Sequence, residues 1–271
     1  MNVLVCVKRV PLTGGKMVLT ADERAIETRH LGFTISPHEE CGVEEAVRIV
    51  EAGGGSVTVI TLGPPEAEEQ LRDAMALGAD RAVLLETDGS DWDPEATAAA
   101  LVEAIRAEDP QPDLIVFGNE SADSGGFQVG IRVAHALGRP IVTGVKALAV
   151  EDSALRAEQE VGSARDVYRV PLPAVVTVKE GINLPRYPSV PAKLRARRKP
   201  VERRTPEAAA PRLEMVRLVV PEGRGKQAEV LGEGPGAAPA VVELLQKLGV
   251  VPDDSRGLRR GASPDGERRP A

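Results

Sequence analysis

The 271-residue sequence predicts an α/β fold: a doubly wound, mainly parallel sheet with a β extension and a C-terminal arm. Three observations predict it. Four short runs, at residues 2–10, 57–62, 81–86 and 114–117, have the apolar, β-branched centres of strands covered on both faces. Between them lie segments whose apolar residues recur at helical spacing, the alternation that builds parallel strands with crossover helices. After Gly138 the period becomes alternating, which adds antiparallel strands beside the doubly wound core.

The first run, NVLVCVKRV at 2–10, reads as a central strand because β-branched residues suit a pleated, buried surface. A polar hairpin follows, with residues 17–19 and 25–26 on either side of Ala21-Asp22-Glu23. Ser36-Pro37-His38-Glu39 is a capping box with proline at the first helical position, and it opens a helix that runs to about Ala52 before three glycines stop it. The strand at 57–62 leads through Gly63-Pro64-Pro65 into a helix with Leu71 and Met75 facing inward, closed by Gly78. After the third strand, at 81–86, Asp93 caps an alanine-rich helix that ends before Pro110. The fourth strand, at 114–117, precedes a polar loop and a helix carrying Val129, Val133 and Leu137 on one face.

Residues 142–150, 154–160, 167–170 and 174–178 read as a β-meander or an extension of the sheet. Residues 181–200 contain four prolines and many basic side chains and read as an exposed loop. From 201 to 221 the chain is rich in proline and charge, with one strand-like run at 215–220. An amphipathic helix is expected at 240–248, and a disordered Gly/Pro/Arg tail from Pro252. The expected divisions are an α/β domain at 1–182, a loop at 183–200, an arm at 201–251 and the tail at 252–271.

In a doubly wound sheet, ligands sit beyond the carboxyl ends of the strands where strand order reverses. The loop Asp123-Ser124-Gly125-Gly126-Phe127-Gln128-Val129-Gly130 lies at such an end, ahead of a helix whose first amides are free to face a phosphate. It lacks both the GK[ST] ending of a phosphate loop and G-x-G-x-x-G, so the ligand is open on this pattern alone. The capping box can serve as a plain helix start or as a second wall of that pocket.

Composition excludes several classes. The net charge of −7 argues against general nucleic-acid binding, although Lys and Arg cluster between residues 186 and 204. Six aromatic side chains leave few stacking platforms for bases or flavins. Cys6 and Cys41 form no paired motif and read as buried small apolar groups; His38 and Cys41 are two residues, too few for a metal site. No apolar run is long enough to cross a bilayer and no signal-peptide pattern opens the chain, so a cytoplasmic location is the default. No nucleophile or acid–base pair stands out, which points away from an enzyme.

The runs VLVCVKRVP, SPHEECGVEEAVRI, VTVITLGPPEAEEQLRDAMALGADRAV, LIVFGNESADSGGFQVG and LPAVVTVKEGINLPRYPSVPAKLRARRK, in this order, resemble the β subunit of electron transfer flavoprotein from Met1 to about Val251. The resemblance implies a Rossmann-like, adenine-nucleotide-binding domain in a heterodimer. The α subunit holds most of the FAD; the β subunit buries AMP and lends part of the flavin-site wall. It implies AMP contacts from Cys6, from Ser36, Pro37, His38 and Glu39, from Leu62, and from the loop Asp123 to Gly130, with Thr13 facing the flavin. Asn119 and Glu120, and Ser124 and Gly125 within Asp123-Ser124-Gly125, depart from the residues that family loop often carries. It further implies that residues 183–199 dock flavin dehydrogenases, with Val190 in the place of an anchoring leucine. Around it stand Leu184, Pro185, Arg186, Tyr187, Lys193, Arg195 and Arg197. Electrons would then pass to a membrane quinone oxidoreductase or another acceptor, without membrane insertion of this chain. Two alternatives stay open: an electron-bifurcating form with a second FAD in the AMP site, and an ATP-binding enzyme or sensor on the same fold.

Overall fold

The computed structural model describes every residue except 13, 15, 16, 221–228 and 252–271. The chain divides into two compact units, residues 1–219 and 220–271. In the first, the elements run β1 (Asn2–Cys6), β2 (Val10–Pro11), β3 (Phe33–Thr34), α1 (Pro37–Gly53), β4 (Ser56–Gly63), α2 (Glu68–Leu77), β5 (Arg81–Glu86), α3 (Pro94–Arg106), β6 (Leu114–Gly118) and α4 (Val129–Leu137). They continue with β7 (Ile141–Glu151), β8 (Ala154–Val161), β9 (Ala164–Pro171), β10 (Ala174–Val178), α5 (Val190–Arg198) and β11 (Glu202–Arg204). The second unit contributes α6 (Ala238–Lys247).

Nine of the described strands form one sheet in the order β11-β5-β4-β1-β6-β10-β7-β8-β9, parallel from β11 to β7 and antiparallel from β7 to β9. The central strands are apolar on both faces because helices cover both. Val3, Val5 and Val7 join the core layer beneath α1 and α2, while Leu4 and Cys6 join the layer beneath α3 and α4. The α/β class is therefore the one read from the alternating runs.

Local chemistry sets the helix starts. The Glu39 carboxylate accepts the Ser36 amide at 3.1 Å, and the Asp93 carboxylate accepts the amides of Glu95 and Ala96. The polar hairpin closes through a bridge between Leu19 and Ile26.

Four expectations need correction. The run at 2–10 is not one strand: β1 ends at Cys6, and Val10–Pro11 turns aside to pair antiparallel with β3. Residues 181–200 are not all loop, because Ser189 caps a helix, α5, accepting the Ala192 amide at 3.3 Å. That helix is closed at its other end by Arg72, whose guanidinium donates to the carbonyls of Ala196, Arg197 and Lys199. No strand forms at 215–220. Instead the charged segment Glu202–Arg204 adds a parallel edge to β5, held by backbone pairing and by ion pairs of Arg81, Arg203 and Arg204 with Glu108, Glu202, Glu68 and Glu86. Finally, β10 does not extend the meander: it enters the sheet between β6 and β7, parallel to both. The tail expected from Pro252 lies outside the described residues.

Candidate functional site

The chain winds from β1 to β4 and β5 on one side, then places β6 on the other side of β1. Strand order thus reverses at β1, and the crevice expected at such a point opens beyond the carboxyl ends of β1 and β6. Three segments meet there: the exit of β1, the N-terminus of α1, and the loop between β6 and α4.

The α1 terminus lies tight against β6. A Cβ on Gly118 would stand 2.7 Å from Glu39 Cγ and 3.3 Å from His38 Cβ, so this close approach demands glycine. Ser36 is fully buried, and its hydroxyl donates to the Glu120 carbonyl at 3.4 Å. His38 Nδ1 accepts the Glu180 amide at 2.7 Å and therefore carries no proton; Nε2 is the donor facing Glu120 Oε1 at 3.3 Å. One imidazole in this way ties α1 both to the β6 loop and to the segment leaving β10.

On the other wall, Lys8 Nζ reaches Asp123 Oδ2 at 2.6 Å, two residues beyond the end of β1. The loop is shaped by Ser124 N donating to Asp123 Oδ1, by a hydrogen bond between the Ser121 and Ser124 hydroxyls, and by Gly125 and Phe127, both at positive φ. Gly130 is buried against Phe117 and Thr177, where a Cβ would come within 3.2 Å of both side chains. Asn119 is fixed by Thr177, whose hydroxyl donates to Asn119 Oδ1 at 2.9 Å. Among the described residues, none accepts the amide hydrogens of Val129, Gly130 or Ile131 at the start of α4. These donors leave hydrogen-bonding capacity at a helix start, the arrangement that suits an anion, beside a Lys8 ammonium already paired with Asp123.

The electrostatics are uneven. Burial raises the Glu39 carboxyl to about 8, although hydrogen bonds from the Lys8 and Ser36 amides oppose the rise. Burial, and then the neighbouring Glu39, push the Cys6 thiol well above its ordinary value, so Cys6 is an inert wall residue rather than a nucleophile. Burial raises Asp123, but Lys8 together with hydrogen bonds from Ser121 and Ser124 outweighs this and holds its carboxyl below the usual range.

The structure therefore brings together Cys6, Ser36, Pro37, His38, Glu39 and the loop from Asp123 to Gly130. Leu62 stands one strand away at the end of β4, half-buried against the Leu4 and Cys6 layer. Thr13 lies outside the described residues. Lys8 and Glu120 complete the rim, yet nothing in their local sequence singles them out; their partners are distant in the chain. Of the residues expected to dock partners, Leu184, Tyr187 and Val190 are 83, 95 and 71% exposed, and Lys193, Arg195 and Arg197 line exposed positions of α5. Arg186 differs: it is paired with Glu44 and Glu51. Two other concavities lie away from the carboxyl rim, one of about 400 Å³ at the amino ends of β1 and β4 and one of about 600 Å³ between α2 and α5. Among the described residues, no group of three or more His, Cys, Asp or Glu side chains could hold a metal ion, and no helix is long and apolar enough to cross a membrane.

The sheet order defines a doubly wound α/β protein whose switch point lies at β1. Comparison with known proteins makes this specific. The model of the electron transfer flavoprotein domain matches residues 24–209. The electron transfer flavoprotein subunit beta of Bacillus subtilis (strain 168) is 32% identical over 253 residues, covering 91% of this chain and 98% of that protein. Its namesake in Bradyrhizobium diazoefficiens is 33% identical over 92% of this chain and 97% of its own length, and that of Thermoanaerobacterium thermosaccharolyticum is 38% identical over 70 and 72%. The chain belongs to the electron transfer flavoprotein family, as a β subunit. Its members carry electrons and are not enzymes.

Proposed function

We propose that this chain binds AMP at the carboxyl rim of its sheet and pairs with an electron transfer flavoprotein α subunit, lending one wall to the FAD site of that partner. The amides of Val129, Gly130 and Ile131, which have no acceptor among the described residues and follow the loop that Lys8 binds through Asp123, carry the reading. The phosphate accepts these amides, while Cys6, the α1 terminus and Leu62 wall the adenosine. FAD supplies the redox chemistry, and this chain contributes binding, positioning and exclusion of water. AMP bound only by the folded state also stabilises the subunit by mass action.

Residues 183–200 then dock flavin dehydrogenases, and electrons leave to a quinone oxidoreductase or another acceptor. The apolar tip Leu184, Tyr187 and Val190 supplies contact, and the exposed cations Lys193, Arg195 and Arg197 of α5 steer encounter with acidic surfaces. Residues 201–251 form the arm that reaches the α subunit, and the pair works in the cytoplasm.

Heating the purified protein and chromatographing the released nucleotide tests the site. AMP is the expected product. FAD would instead mark a bifurcating form, ATP or a turnover product would mark the ATP-binding class, and an absence of nucleotide would refute the site. For docking, Val190→Asp should abolish electron uptake from dehydrogenases with flavin content unchanged; lost flavin would place residue 190 in the cofactor site instead.

A further inference from the structure

We propose that the buried Glu44 carboxylate, in the middle of α1, positions the docking segment, and that Arg186 is its strut rather than a cation offered to partners. Glu44 is 2% exposed. Its Oε2 accepts the Arg186 amide at 3.1 Å and Arg186 Nε at 2.8 Å, and its Oε1 accepts Arg186 Nη2 at 3.3 Å and Arg48 Nε at 2.6 Å. One carboxylate thus holds both the main chain and the side chain of the same residue. The remaining donors of the guanidinium turn to Glu51, at 2.6 and 2.9 Å. All three guanidinium nitrogens are therefore engaged within the chain.

The same helix grips the residues on either side. Arg48 donates to the Leu184 carbonyl at 3.1 Å, Asn183 donates to the Cys41 carbonyl and to Glu45, and His38 accepts the Glu180 amide. Residues 180–186 are fastened along successive turns of α1. Immediately beyond them, Tyr187 and Val190 are exposed. A buried charge is costly unless fully paired, so a pair kept here serves placement more than stability. A small, transient contact gains most when its tip is ordered before encounter, because the ordering cost is then not charged to each docking event.

The inference rests on the docking reading, and two measurements separate their failures. In the α/β heterodimer, Arg186→Ala should raise KM for a reduced flavin dehydrogenase about tenfold while kcat changes less than about twofold, with Arg186→Lys in between. Glu44→Gln should act in the same direction, and FAD and AMP content should stay at the wild-type level. Amide hydrogen exchange should accelerate at residues 180–190 alone. An unchanged KM with unchanged exchange would overturn the proposal, as would accelerated exchange across the core with loss of flavin. If Val190→Asp leaves electron uptake intact, the docking reading fails; the exchange measurement still decides whether Glu44 holds the segment.

Discussion

Glu39 is the residue whose placement costs most. Its carboxyl, 5% exposed, titrates near 8 because burial disfavours the charged form, against an ordinary 4.5 in the unfolded chain. Between those values the folded state holds a proton that the unfolded state lacks. The contribution of Glu39 to stability is therefore full below about pH 4.5 and is lost as pH rises toward 8. Melting temperatures at pH 6 and pH 9 should show this: the wild type melts lower at pH 9, and Glu39→Gln narrows the gap. A gap of equal size in both proteins would remove Glu39 as its cause. Gly118, beside it, allows no side chain. Gly118→Ala should cost about 1–3 kcal/mol by denaturant titration and weaken AMP binding, since the added methyl group pushes α1 off the rim.

At the level of elements, the C-terminal end of α5 is closed by a distant side chain. Arg72, itself held by Glu68, caps carbonyls at the end of a helix some 124 residues later. Replacing it with Met should destabilise the protein by about 1 kcal/mol and reduce helicity locally, measured by denaturant titration and by amide exchange across residues 190–199. This dependence explains why α5 was illegible in the sequence. Its stretch is basic and proline-bearing with no apolar stripe, so the Ser189 cap and the proline behind it are its one local signal, and its closing partner belongs to another element. β11 was hidden for a similar reason, because Glu202, Arg203 and Arg204 form a strand through pairing with β5 and not through their own propensity. By contrast, α1 and α3 carry their caps in their own first turns, and the glycine turn before α4 is written in adjacent residues. The rim was readable as a loop, but the Lys8 to Asp123 pair spans 115 positions and only folding joins it.

For the whole molecule, the division at residue 219 sets the test of the C-terminal arm. Residues 1–219 hold the nine-stranded sheet and both core layers, whereas α6 exposes Val241, Val242 and Leu244, with Leu248 exposed just beyond it. A chain ending at 219 should keep the melting transition of the full protein and lose co-elution with the α subunit on size exclusion. Persistent co-elution would assign α-subunit binding to the first unit instead.

The position of β10 has a consequence for synthesis. The strand that fills the gap between β6 and β7 is encoded after both, at residues 174–178. Until those residues leave the ribosome, two apolar strands present naked backbone rows to their surroundings. A nascent chain stalled before that stretch carries an adhesive slot open to any passing extended polypeptide, including another stalled copy.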